Sequence, residues 1–129
     1  MGYRSSVAMM ITGDEAIIAS IVAKMKLTMP EIFATDYWAE AFTFGDDYIK
    51  FAVHDVKWYD GYEDVDKLDK WYKEIEEMYN EASSTDDPMS NLCGKFVRIG
   101  EDVGDIEEEY FGNDYIDSPY VSRTIEWYN

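Results

Sequence analysis

The sequence is poor in cysteine, histidine and proline. Its 129 residues include one cysteine, Cys93, one histidine, His54, and three prolines. A single cysteine excludes an intramolecular disulfide, and together with one histidine it is too few ligands for a structural zinc site. No Ser-His-Asp or Cys-His set can be assembled, and no glycine loop is spaced to cradle a phosphate. We expect Cys93, in the segment LCGKFV, to be a buried thiol on a strand.

Long apolar runs are also missing. No stretch is long enough for a membrane-spanning helix, and the N-terminus lacks the apolar region typical of a secretory signal. We therefore expect no membrane partner. A lone cysteine fits a reducing cytoplasm.

Positively charged residues are also scarce. The chain has 28 acidic residues against 11 Lys and Arg, which gives a net charge of −17 and a pI near 4.1. Residues 1–59 carry 8 acids and 5 bases (−3), whereas residues 60–129 carry 20 acids and 6 bases (−14). Such charge repels nucleic acid and anionic membranes and attracts basic surfaces.

Apolar and aromatic residues are plentiful. They make up 47% and 16% of the chain, respectively, which favours a folded domain over a disordered acidic chain. The length fits one domain, residues 1–129, with no internal repeat or linker.

Periodicity predicts the elements. Apolar spacing of three and four predicts two helices, and alternation predicts strands, with a phase slip at His54 or Asp55 that indicates a bulge. Thr12 and Glu15 have capping-box spacing at the first helix. A segment at 106–111 is a short helix or a strand. The predicted strands are 3–12, 38–44, 48–59, 92–99 and 120–127, and the predicted helices are 13–26 and 63–82.

This element order predicts an α+β fold. Two crossover helices and a hairpin between them give a two-layer sandwich, with both helices on one face of a mostly antiparallel sheet. We expect a ferredoxin-like βαββαβ arrangement with an extra C-terminal strand. An exposed last strand could pair two copies into a homodimer.

Four segments, MGYRSSV, DVKWYDGYEDV, FVRIGEDVGDIE and YVSRTI, carry a resemblance. They resemble a family of small acidic proteins of bacteriophage genomes, and the resemblance covers nearly the whole chain. No motif of that family is tied to a known chemistry. The resemblance implies a phage protein acting in the cytoplasm of a bacterial host, and it supplies no catalytic residues.

The stretch 100–117 is the candidate functional site. It holds eight carboxylates and no Lys or Arg, and it lies between two predicted strands. A compact chain of this length is about 36 Å across, and duplex DNA carries on the order of 20 charges over that distance, close to the −17 of this chain. We therefore predict a non-enzymatic decoy that binds a basic, nucleic-acid-handling host protein. The predicted contact residues are Asp102, Asp105, Glu107, Glu108, Glu109, Tyr110, Asp114, Tyr115 and Asp117.

Two other functions remain open. The aromatic-rich sheet could stack a signalling nucleotide if the scattered bases Arg4, Lys95, Arg98 and Arg123 converged on a pocket. A metal-dependent nuclease would need Asp46 or Asp47 close to Asp55 and Lys57.

We expect no cofactor and no dedicated metal site. The acidic stretch lacks the alternating Asp spacing of a calcium loop. His54 beside Asp55 is a poor general base, because neighbours on a strand point to opposite faces.

Overall fold

The computed structural model describes residues 4–34, 36–59, 61–82, 86–102, 104–112, 120–122 and 124–126. Its strands are β1 (Ser5–Thr12), β2 (Phe42–Phe44), β3 (Tyr48–Val56), β4 (Cys93–Gly100), β5 (Ile106–Phe111), β6 (Tyr120–Ser122) and β7 (Thr124–Glu126). Its helices are α1 (Glu15–Thr28), α2 (Pro30–Phe33), α3 (Asp36–Ala39) and α4 (Glu63–Asn80), with a 3₁₀ helix at Pro88–Asn91.

The main sheet has the strand order β2-β3-β1-β4-β5, and every neighbouring pair is antiparallel. It follows that β1 and β2 run in the same direction and are joined through α1, with β3 lying between them. Likewise, β3 and β4 are joined through α4, with β1 between them. The predicted α+β sandwich is confirmed, with an element order loosely consistent with a ferredoxin-like fold. Strand β5 extends the sheet beyond β4.

The core lies between the sheet and the two long helices. Odd-numbered residues of β1 face the helices, because Val7, Met9 and Ile11 are fully buried there opposite Val53, Phe51 and Ile49 of β3. Helix α4 brings an apolar stripe at steps of three and four, as its sequence predicts. The buried helical residues are Ile18, Ile21 and Met25 of α1 and Val65, Leu68, Trp71, Tyr72 and Ile75 of α4.

The predicted bulge on β3 is confirmed. Ser5 pairs with Val56, but Val7 pairs with Val53, so β3 has one extra residue at this point. Asp55 takes it up with a φ of 58°, a left-handed conformation that aspartate tolerates better than most residues. The bulge restores Val56 to the core side.

The sheet face opposite the helices is also covered at its centre. Ala8 and Val97 point to that side and are fully buried. The β6–β7 hairpin approaches β1 and β4. The predicted strand at 120–127 is therefore wrong as a single element, since the chain reverses between 122 and 124. The strand that extends the main sheet is β5.

Two local predictions are also wrong. Trp38 belongs to α3 rather than a strand, because its indole Nε1 donates to Asp64 at 2.9 Å while its ring stacks on Phe51. The N-cap of α1 is Asp14, and no side chain caps this helix end. The carboxylate of Asp14 instead accepts hydrogen bonds from Asn91.

Candidate functional site

The acidic stretch forms the exposed edge of the main sheet. Strand β5 pairs with β4 on one side only, and the two strands place Glu107 opposite Arg98 and Glu109 opposite Phe96. Phe96 belongs to the core beneath the helices, so Glu107 and Glu109 project to the helix side. Glu108 projects to the opposite side, because successive residues of a strand alternate. The glutamates are thus divided between two faces.

Arg98 holds the start of this edge in place. Its guanidinium donates to both carboxylate oxygens of Asp105, at 2.6 and 3.1 Å, and to Glu107 at 2.8 Å. It also donates to the hydroxyl of Ser5 at 3.1 Å. The hydrogen bonds with Asp105 hold the pKa of Arg98 above its ordinary value. Asp105 and Glu107 are therefore partly neutralised and fixed in position.

Glu109 has a cationic neighbour on α4. Its carboxylate lies 3.6 Å from Nζ of Lys73, although about half of each side chain remains exposed. A pair this open contributes little to stability, on the order of 0.5 kcal/mol, and leaves Glu109 accessible to a partner. The helix side of β5 therefore carries carboxylates that are spaced by the strand and partly balanced by two cations.

The other face of β5 is more apolar. Ile106 is 45% exposed and Tyr110 is 66% exposed, and they flank Glu108 on this side of the strand. Tyr110 was predicted as an anchor and is open enough to serve as one. Asp102 is exposed in the turn between β4 and β5. The predicted contacts Asp114, Tyr115 and Asp117 lie outside the described residues.

The nuclease residues lie far from one another. Asp46 and Asp47 precede β3, whereas Asp55 and Lys57 lie at its other end. At about 3.3 Å per residue, the two groups are about 25 Å apart, too far for one metal ion. In the described ranges, no three His, Cys, Asp or Glu side chains form a group that could hold a metal.

The bases of the nucleotide hypothesis are also dispersed. Lys95 projects from β4 to the face away from the helices and is 1% exposed, whereas Arg98 projects to the helix face. Arg4 donates to the backbone carbonyl of Asp55 at 2.9 Å. Arg123 lies outside the described residues. The three described bases therefore do not line one pocket.

Sequence analysis missed a contact between Ser6 and His54. The bulge brings Nδ1 of His54 to 3.3 Å from the hydroxyl of Ser6, above a shallow depression of about 260 Å³. Arg4 and Glu101 also line this depression. This contact is exposed to solvent and is long for a hydrogen bond. Among the described residues, no acid orients the imidazole of His54.

It also missed a groove between the two long helices, of about 400 Å³. The groove is floored by apolar side chains and edged by Lys24, Lys67 and Lys70. The available signal was the clustering of three of the 11 bases on two helices that pack side by side.

Within the described segments, no helix has both the length and the apolar character needed to cross a membrane. No protein-family model, curated protein or solved structure matches the chain.

Proposed function

We propose that this chain is a non-enzymatic acidic binding protein of a bacteriophage. It occupies the nucleic-acid-binding surface of a basic protein, such as a defence enzyme, in the cytoplasm of the bacterial host. Its carboxylates take the place of backbone phosphates. The observation that carries this proposal is the row of three glutamates on β5, held on a paired strand at the rim of the molecule.

The spacing of these charges supports the proposal. Successive residues of an antiparallel strand alternate between its faces, so Glu107 and Glu109 on the helix side lie about 6.8 Å apart along β5, which matches every second phosphate along one strand of B-DNA. Pairing with β4 and the contacts of Arg98 keep this row rigid. A partner would then bind charges that are already in place, without the entropy loss of ordering a flexible tail.

Total charge supports it as well. The net charge of −17 lies in the range carried by duplex DNA across a protein of this diameter. The residues described on the β5 rim include Asp102, Asp105, Glu107, Glu108 and Glu109, and Lys73 and Arg98 form ion pairs with three of them. Five acids and two bases leave this rim at −3.

A structural role for the same glutamates makes a different prediction. Charged side chains on an exposed edge strand prevent it from pairing with the edge of another molecule. That role alone requires no partner. The two roles are separated by measuring partner binding and self-association on the same variant.

The test is affinity capture from host lysate on the immobilised protein at low and high salt. We expect a basic, nucleic-acid-binding protein that is retained only at low salt. A short DNA duplex should displace it, because both ligands compete for one surface. A nucleotide released by denaturing the purified protein would instead support the nucleotide-binding alternative.

The decisive variant is Glu107→Gln/Glu108→Gln/Glu109→Gln. Neutral glutamine avoids placing a new cation beside Arg98 or Lys73, which charge reversal would do. We expect capture to be lost, and the salt dependence of any remaining binding to become shallower because fewer charges attract the partner.

The matched control is Glu40→Gln/Glu77→Gln/Glu81→Gln, which removes the same charge from exposed positions elsewhere. This control should still capture the partner. If the folded β5 variant captures the partner as well as the wild type does, the proposal is wrong. If that variant also dimerises in size-exclusion chromatography, the glutamates serve to protect the edge.

A further inference from the structure

The groove between α1 and α4 is a concave surface rich in lysine on an acidic molecule. Its lining includes three lysines and one glutamate, Glu74, so the lining side chains alone carry +2 on a molecule of −17. Glu31 and Glu63, which pair with Lys67, bring this sum to zero. Lys67 is engaged by Glu31 and Glu63, and its hydrogen bond to Glu31 raises its pKa. Lys24 and Lys70 make no ion pair with a described residue. Two ammonium groups are therefore available to an incoming anion.

The lysines are unevenly distributed along the groove. Glu31, just beyond α1, reaches Lys67 near the start of α4, so the end of α1 lies beside the start of α4. The lysines therefore cluster toward this end and the middle, together with Thr28. At the other end, Ile21, Ile75 and Met78 lie together with Ser20 and Glu74. The apolar lining residues are Ile21, Met25, Met29, Trp71, Ile75 and Met78.

We propose that this groove binds the free anion of a medium- or long-chain fatty acid. The carboxylate lies between Lys24 and Lys70, and the alkyl chain runs over Trp71 toward Ile75 and Met78. The proposal concerns a second site and does not depend on the function of the β5 rim. Fatty acid binding requires no covalent step.

The size of the groove suits a small amphiphile. A volume of about 400 Å³ lies within the range typical of small-molecule sites. Along α1 the groove extends from Ser20 to Thr28, about 12 Å at 1.5 Å per residue.

The floor suits a flexible chain. Met78 is only partly buried, and its unbranched thioether can adjust to an irregular apolar ligand. Ile21, Met25, Trp71 and Ile75 are buried core residues, so their positions are set by packing against the sheet. The charge complementarity of the rim and the apolar floor both point to an anionic amphiphile.

The test uses dodecanoate below its micelle concentration, with binding followed by calorimetry. Dodecyltrimethylammonium has the same chain length and the opposite charge, and it should not bind detectably. We expect Lys24→Gln/Lys70→Gln to weaken dodecanoate binding about tenfold. The matched control Lys26→Gln/Lys57→Gln removes two lysines outside the groove and should leave the affinity unchanged.

Two further measurements locate the ligand. Dodecanoate brominated at its terminal carbon should quench tryptophan fluorescence, and Trp71→Phe should remove most of that quenching. Ser20→Trp fills the groove from an exposed position and should abolish binding while the thermal midpoint is retained. Equal binding of the cationic amphiphile, or quenching that survives Trp71→Phe, would overturn the proposal. Preference for anionic vesicles or for an acidic amphipathic peptide over dodecanoate would do the same.

Discussion

Tyr72 of α4 buries a polar atom, its hydroxyl oxygen, in the apolar core. Its side chain is 2% exposed, and its ring packs against Phe96 and Phe111. No hydrogen-bond partner for its hydroxyl is found among the described residues. Burial, followed by the nearby charges of Glu76 and Glu109, raises the pKa of Tyr72 above its ordinary value. The sequence predicts that Tyr72 lies in the core, because the spacing of apolar residues along α4 is visible without knowing which residues they contact.

We expect Tyr72→Phe to raise the free energy of unfolding by about 1 kcal/mol at neutral pH, since it removes a buried hydroxyl without a partner. The measurement is urea denaturation, with the exposed Tyr62→Phe as a control that leaves stability unchanged. A loss of stability in Tyr72→Phe would mean that the hydroxyl does make a hydrogen bond.

The same variant has a defined pH dependence. The folded-state pKa of Tyr72 lies above the ordinary value of about 10, so the unfolded tyrosine ionises first as the pH rises. Ionisation of Tyr72 in the unfolded chain therefore lowers the free energy of unfolding as the pH rises above about 10, and it has no effect well below that pH. Between about pH 9 and about pH 11, the wild type should lose more unfolding free energy than Tyr72→Phe does.

At the scale of secondary-structure elements, the contact between Gly94 of β4 and Phe111 of β5 holds the edge strand in place. Gly94 lies opposite Phe111, and a Cβ on Gly94 would lie only 2.2 Å from the ring. Phe111 is buried and contacts Tyr72 and Tyr79 of α4. The ring therefore crosses β4 at a position without a side chain and ties the edge strand to the helix layer.

We expect Gly94→Ala to lower the free energy of unfolding by about 2–3 kcal/mol, because the buried ring must move. Gly104→Ala is the control, since a Cβ there meets no atom within 4 Å. Combining Gly94→Ala with Phe111→Leu should cost less than the sum of the two single changes, because the smaller side chain relieves the collision. Strict additivity in denaturation experiments would contradict this account.

Sequence analysis predicted some helices and strands correctly and others incorrectly. The long helix α4 and the bulged β3 follow from local spacing, because each presents one continuous face to the core. Segment 106–111 could be a helix or a strand until its pairing with β4 was known. Trp38 was misassigned because its indole is satisfied by Asp64, 26 residues away, and no local pattern encodes that contact.

At the scale of the whole molecule, like charge is the main electrostatic feature. Most of the net charge of −17 lies in the second half of the chain. Repulsion among these carboxylates opposes folding, whereas the ion pairs of Arg98 and Lys67 act over short distances and are screened less when partly buried. We infer that salt favours the folded state.

The melting temperature should therefore rise with sodium chloride. From about 0.01 M to about 1 M, the screening length falls from about 30 Å to about 3 Å. Relief of repulsion on the order of 1 kcal/mol corresponds to a rise of about 3–6 °C for a chain of this size. The Glu40→Gln/Glu77→Gln/Glu81→Gln variant should show a smaller rise in scanning calorimetry. A fall with salt would mean that ion pairs outweigh repulsion.

The sequence by itself determined the fold class, the net charge and most element types, because each depends on composition or on the spacing of neighbouring residues. Only the tertiary structure decided on which face of the sheet each carboxylate lies and which carboxylates form ion pairs. It divided Glu107, Glu108 and Glu109 between two faces and placed Arg98 on Asp105 and Glu107. It also formed the lysine-edged groove, since packing α1 beside α4 brings together residues more than 40 positions apart.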